Sequence, residues 1–292
     1  MAFAAPDVLV LAGGGVVGES WMNGVLAGLQ EATGFDARGA EAFVGTSAGS
    51  IVAARLASGR APRRPTDATP PAPADGDDDR SGDGALRTAL RWGWAATAPL
   101  APAAVALATP GGALARSALL ARSPHQGRSL QRLHAYLERA GARFDGRLRV
   151  CCVDRASGRR VVFGAPGAPA ASVADAVTGS CAIPWVFAPV RIGERDYVDG
   201  GVWSVTNLDA APTGRDTQVL CLNPTTALRS SMRHAFRAAT AVERQLLRGR
   251  GTRVLEVGPD TGAAAAMGSN LMDEGRAAPA LQAGYAQGLS LA

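Results

Sequence analysis

The chain has 292 residues and a formal charge of +5, and all 30 of its basic residues are arginine. With 47% apolar and 19% charged residues it is neither a disordered nor a fibrous sequence, and its length can enclose one large α/β core. An arginine-only basic set beside abundant alanine and glycine reads as compositional bias, so the charge gives no reason to expect a nucleic-acid partner.

Cys151, Cys152, Cys181 and Cys221 have neither metal-ligand spacing nor the density of a disulfide scaffold, which predicts reduced, buried thiols and no metal. The first residues, Met1 to Asp7, lack the basic and long apolar regions of a signal peptide. The expectation is a single domain over 1–292 in the cytoplasm.

In chain order, Val8 to Ala12 reads as a buried strand, followed at once by Gly13-Gly14-Gly15-Val16-Val17-Gly18. From Glu19 the spacing of Trp21, Val25, Leu26 and Leu29 predicts a helix that Gly34 stops. A strand, a glycine turn and a helix in that order gather backbone N–H groups in one concavity, suited to a phosphate or a transient oxyanion. Residues 41–45 predict a second strand, and Ser50 to Leu56 the helix after it. Between them lies Gly45-Thr46-Ser47-Ala48-Gly49, a G-x-S-x-G at a strand-to-helix junction.

Residues 60–84 carry five prolines and then five aspartates, which predicts a disordered loop. From Trp92 to Ala115 there is no charge, but the prolines and glycines within it would break a membrane-spanning helix. Residues 85–121 therefore read as a lid or cap insertion and a candidate for peripheral membrane contact. Trp92 and Trp94 would be its interfacial anchors, with Arg87, Arg91, Arg116 and Arg122 flanking it.

Further on, Ser129 to Ala140 is amphipathic, Leu148 to Val153 and Arg160 to Phe163 are strands around a turn, and Ser172 caps a short helix. Strand pieces at 190–192 and 197–198 lead into Asp199-Gly200-Gly201. Gln218 to Leu222 and Arg253 to Val257 read as strands, Met232 to Leu247 and Asn270 onward as helices. Strands alternating with helices predict a mostly parallel sheet covered on both faces.

Three chemistries fit these residues. Ser47, Asp199 and His234 follow one another in the chain order of the α/β-hydrolase triad, although only about two strands precede the serine. Gly13-x-Gly15-x-x-Gly18 with Asp36 beyond it has the form of a dinucleotide fingerprint. In the third, Asp199 takes the proton of Ser47 directly and the glycine turn holds the oxyanion.

Four blocks taken together resemble the patatin-like phospholipases. They are Gly13-Gly14-Gly15-x-x-Gly18, Gly45-Thr46-Ser47-Ala48-Gly49, Ser180 through Pro189, and Asp199-Gly200-Gly201, in that order. The resemblance implies a three-layer α/β/α fold and a lipid acyl hydrolase that acts on lipid or fatty-acyl esters without a cofactor. It assigns Ser47 as nucleophile and Asp199 as base, with no catalytic histidine. Gly13, Gly14 and Gly15 would form the oxyanion hole, supported by turns at Gly18, Gly45, Gly49, Gly200 and Gly201. One position departs from the pattern. Val17 stands where the family usually carries Arg or Lys, which turns the expectation toward neutral esters or lysophospholipids.

Overall fold

The structure is a computed structural model that describes residues 3–67, 112–228 and 232–291, with the side chains of 232–235 excepted. Its centre is an eight-stranded sheet. Strands β1 (Val8–Leu11), β2 (Ala42–Thr46), β3 (Leu148–Asp154), β7 (Gln218–Leu222) and β8 (Arg253–Val257) run parallel in the order β3-β2-β1-β7-β8. Strands β4 (Arg160–Phe163), β5 (Val190–Ile192) and β6 (Arg195–Asp199) add antiparallel pairings at the β3 side.

Strand β1 is apolar at every position, and β2, β3 and β7 are apolar at most of theirs, because both faces are covered. Leu9, Leu11, Phe43, Leu148 and Val150 enter one core with helices α1 (Gly15–Thr33), α2 (Ala48–Ala57), α4 (Gln131–Ala140), α5 (Val173–Ser180), α7 (Thr261–Met267) and α8 (Ala277–Ser290). Val8, Val10, Val44, Val219 and Cys221 face the other way, against Leu208 and Ala210 of a short helical turn (Leu208–Ala210) and against Leu247 of helix α6 (Met232–Gly249). The strand period of two thus sorts alternate side chains into two helical layers, which is the mostly parallel, helix-flanked sheet expected.

Helix α1 is buried around almost its whole circumference, since α8 lies along its outer side. Close approach is possible because glycines face backbone across the contact: a Cβ on Gly24 would come 2.2 Å from Leu281 O, and one on Gly288 2.3 Å from Val25 O. The indole N–H of Trp21 donates to Gln287 Oε1 at 2.9 Å and pins the pair.

Several boundaries differ from the sequence expectation. Helix α1 begins at Gly15 rather than Glu19, because burial supplies what its glycines lack in propensity. The C-terminal helix starts at Ala277, and an alanine-rich helix precedes it, capped by Asp260 through the Ala263 N–H at 2.7 Å.

Residues 60–67, expected to begin a disordered loop, pack on α1: Arg63 is buried, with its guanidinium 3.3 Å from Glu19 and its N–H on Asn23. The rest of that loop, and the segment 85–111 expected as a lid, lie outside the described residues. The last part of the expected lid is helix α3 (Ala113–Ala121), where Arg116 is 1% exposed and stacks 4.0 Å over Trp203. Arg116 is an interior residue there rather than a flank for an anionic surface. Among the described residues no helix is long and apolar enough to cross a membrane.

Candidate active site

Strand β3 brings the two principal candidates together. It pairs with β2 through Leu148 to Cys151, with β6 through Cys152 to Asp154, and with β4 through Val150 to Val153. A strand has two edges, and β4 overlaps both of the others, so β2 and β6 must share the opposite edge. They meet there end to end. Parallel β2 finishes with Thr46 opposite Cys151, while antiparallel β6 finishes with Asp199 opposite Cys152. Ser47 and Asp199, 152 positions apart in the chain, are thereby brought to one point of the sheet.

Ser47 sits in a strained turn, with φ 51° and ψ −126°, where a side chain other than glycine is unfavourable. The flanking glycines follow from close approach. A Cβ on Gly49 would lie 1.9 Å from Leu11 O at the end of β1, and one on Gly45 would lie 2.4 Å from the Cα of Ser50. The first turn of α2 therefore folds back over the ends of β1 and β2, and Ser47 is the residue it pushes outward. Its own N–H donates to Ser180 Oγ at 2.9 Å, and Ser180 in turn donates to Cys151 O at 2.7 Å. This ties the elbow to β3.

Asp199 is also held from both sides. Its backbone N–H donates to Ala182 O at 2.9 Å, and its Oδ1 accepts the Gly201 N–H at 2.7 Å. Burial pushes its carboxyl up to about 6, against the hydrogen bonds from the Gly201 N–H and the Ser47 side chain, which favour the charged form. A Cβ on Gly200 would lie 2.2 Å from Cys151 O, so glycine is what lets the chain turn directly after the aspartate.

The glycine turn borders the serine: a Cβ on Gly13 would lie 3.5 Å from Ser47 Cβ. Of the three N–H groups expected to face an oxyanion, that of Gly13 is committed, donating to Val205 O at 2.8 Å. Among the described residues the N–H groups of Gly14 and Gly15 have no acceptor. They lie at the start of α1, where such donors are intrinsically open. Gly15 has φ 59°, and a Cβ on Gly14 would press on Pro224 at 2.8 Å. Gly18 is similarly close to Pro224, and a Cβ on Gly201 would lie 3.0 Å from Asp199 Oδ1.

The competing arrangements find less support. Asp36 precedes β2 instead of ending it, caps a short turn through the Arg38 N–H and pairs with the Arg38 guanidinium at 2.8 Å. It is therefore engaged locally and does not serve a dinucleotide fingerprint. His134 lies 2.9 Å from Asp175 and His125 2.7 Å from Arg155, so neither contacts Ser47. His234 is in α6, and its side chain lies outside the described residues.

The structure also reveals residues that the sequence reading passed over. Asn207, fully buried and left-handed at φ 47°, donates from Nδ2 to Thr46 Oγ1 at 3.0 Å, Gly200 O at 3.3 Å and Ser204 O at 2.6 Å. It thus joins the residue before the serine to the residue after the aspartate. Cys181 is close enough to Ser47, Ser50 and Asp199 for all three to act on its thiol, which burial raises well above the usual range. All four cysteines are free and buried. Asn207 lies eight positions after Asp199 and Ser180 opens the third of the four blocks, but neither spacing announces a hydrogen-bond partner.

A family model described as patatin-like phospholipase matches residues 9–212, which span the serine, the aspartate and the glycine turn. The chain belongs to the patatin-like phospholipase family. Patatin-like phospholipases act on lipid substrates, and membership supports a lipid hydrolase activity.

Among solved structures, VipD from Legionella pneumophila is similar at 16% identity and a TM-score of 0.44, covering 99% of this chain and 67% of that one. The type III effector protein ExoU is similar at 19% identity and a TM-score of 0.35, covering 98% of this chain and 53% of that one, so this chain spans about half its length. No curated protein sequence matches the chain significantly.

Proposed function

We propose that this patatin-like chain is a serine lipid acyl hydrolase in which Ser47 is acylated and Asp199 alone serves as its base. The end-to-end meeting of β2 and β6 on one edge of β3 is the observation that carries this reading. Asp199, ionised above about pH 6, accepts the proton of Ser47 as Oγ bonds to the ester carbonyl carbon. The carbonyl electron pair moves to oxygen, where the N–H groups of Gly14 and Gly15 face the developing charge.

Collapse breaks the ester C–O bond, and the proton on Asp199 passes to the departing alkoxide. Water then attacks the acyl-enzyme, gives its proton to Asp199, and Ser47 leaves with that proton as the fatty acid is released. Desolvation suits Asp199 to this role, because a carboxylate raised to about 6 is a better base than one at 3.8 and is still charged near neutrality.

Val17 favours uncharged acyl esters over phosphate-bearing ones as substrates. It is completely buried in the main core, and its N–H donates to Leu271 O at 3.1 Å, so the position offers no cation to a phosphate. The chain needs no cofactor for this chemistry, and contact of 85–121 with a lipid surface is part of the proposal.

The test is fluorophosphonate labelling together with hydrolysis of short-chain nitrophenyl esters, neutral glycerides, lysophospholipids and diacyl phospholipids. Wild type is expected to label and to hydrolyse the nitrophenyl esters and neutral glycerides faster than either phosphate-bearing class, with Ser47→Ala and Asp199→Asn inactive and His234→Ala unaffected. Activity surviving in Ser47→Ala would sink the proposal, and loss in His234→Ala would replace the dyad by a triad.

A further inference from the structure

The segment from Asp199 to Leu208 touches every part of the site. Asp199 faces Ser47, Val205 O takes the Gly13 N–H, and Asn207 binds both Thr46 and Gly200. Such a segment needs a fixed point, since Asn207 is held at φ 47°, a left-handed conformation uncommon for residues other than glycine.

That point lies in α6, outside residues 9–212. Glu243 is 7% exposed, and its Oε2 accepts the Thr206 hydroxyl at 2.6 Å and the Leu208 N–H at 2.9 Å. The two donors flank Asn207 on either side. Beyond these bonds, Glu243 is faced by Ser204, by Asp209 with its partner Arg160, and through space by Cys151 and Cys221. Arg160 also donates to Asn207 Oδ1 at 3.2 Å, so the asparagine amide is satisfied at both ends.

We infer that Glu243 is a positioning residue for the Ser47–Asp199 pair, acting through the backbone and side chains of Thr206, Asn207 and Leu208. A buried carboxylate costs desolvation, and an apolar residue would fill the same space at no such cost. What Glu243 supplies instead is one acceptor for two donors that bracket the strained residue. Fixing Asn207 fixes the end of β2 against the turn after β6, and so fixes how Oγ of Ser47 stands to the carboxyl of Asp199. This inference rests on the dyad reading for its consequence in catalysis, but the strut itself has a readout that needs no catalysis.

The experiment compares Glu243→Ala, Glu243→Gln and Thr206→Val in the full chain. Each is followed by kcat and KM on a nitrophenyl ester, by thermal unfolding, and by amide hydrogen exchange over residues 200–208. Glu243→Ala is expected to lower kcat by about 10²-fold per folded molecule, the usual cost of a misplaced catalytic group, with KM unchanged. Exchange over 200–208 is expected to accelerate.

Glu243→Gln keeps a neutral acceptor and is expected to recover most of the lost kcat, while Thr206→Val, which removes one donor at constant shape, falls between. Thr206→Val also serves if the alanine variant does not fold. Unchanged kcat and unchanged exchange in folded Glu243→Ala or Thr206→Val would overturn the inference, and so would a glutamine variant as damaged as alanine. If Ser47→Ala retained activity, the dyad would fail while the exchange result still decided the strut.

Discussion

Replacing Asp199 by Asn should destroy activity and yet make the protein more stable above neutral pH. The carboxyl is buried, and that burial moves it from 3.8 to about 6. At about 1.4 kcal/mol per pH unit, that displacement means that the ionised aspartate destabilises the fold by about 3 kcal/mol. Because the folded state holds the proton more tightly than the unfolded chain, the favourable contribution is complete below pH 3.8 and is lost as pH rises to about 6.

Asparagine keeps the size and the acceptor for the Gly201 N–H, and carries no charge. With about 2.1 cal/mol/K of unfolding entropy per residue, 3 kcal/mol corresponds to about 5 °C in this chain. Thermal unfolding of both proteins from pH 4 to pH 8 should therefore show nearly equal midpoints at pH 4 and a gap opening through pH 6, the variant melting about 5 °C higher at pH 8. A gap that does not change with pH, or a variant less stable at pH 8, would refute the claim that desolvation governs this carboxyl.

Other outcomes follow from the same geometry. In wild type, kcat/KM should rise with pH through an apparent pKa of about 6 and then stay level, since one base must be ionised and no histidine acid is required; a profile governed by a second group in the His234→Ala comparison would contradict this. Ser47→Gly should be more stable than Ser47→Ala by about 1 kcal/mol in denaturant titration, because glycine relieves the φ of 51° that alanine retains. Gly49→Ala should cost about 3 kcal/mol or more, since its methyl would fall on Leu11 O, and should abolish fluorophosphonate labelling in whatever folds. Gly288→Leu should push α8 away from α1 and break the Trp21–Gln287 bond, seen as a red-shifted indole emission and a lower unfolding midpoint.

What the sequence disclosed and what it hid divide along physical lines. Gly45 and Gly49 mark the elbow because a Cβ at either position meets backbone only a few residues away or on the adjacent strand, a constraint that leaves a local signature. The strands β1, β4, β7 and β8 were legible as apolar or β-branched runs. The first turn of helix α1 leaves no helical sign in the sequence because its glycines have poor propensity, and only the covering α8 makes up for that. Helix α7 was missed because Thr261-Gly-Ala-Ala-Ala-Ala-Met267 has no amphipathic period to detect. Arg116 looked like a surface flank, but its stack on Trp203 depends on a residue 87 positions later. Glu243 gave no local sign at all, since on an amphipathic arginine-rich helix a glutamate is the ordinary surface residue, and only the fold turns it inward.

The placement of the pair explains how a site could work without a histidine. In a triad the imidazole bridges a gap between serine and carboxylate that loops leave open, so each partner can be positioned separately. Here both candidate groups are measured against one strand. Thr46 and Asp199 pair with consecutive residues of β3, and Ser180 fastens the Ser47 N–H to Cys151 of that strand as well. A displacement of β3 would carry serine and aspartate together and leave their separation intact. Only the angle between the two strand ends remains free, and Asn207 spans it by binding Thr46 on one side and Gly200 on the other. The sheet thus sets the distance and the 199–208 segment sets the orientation, which is why substitutions in that segment should reach the chemistry while substitutions along β3 should chiefly reach stability.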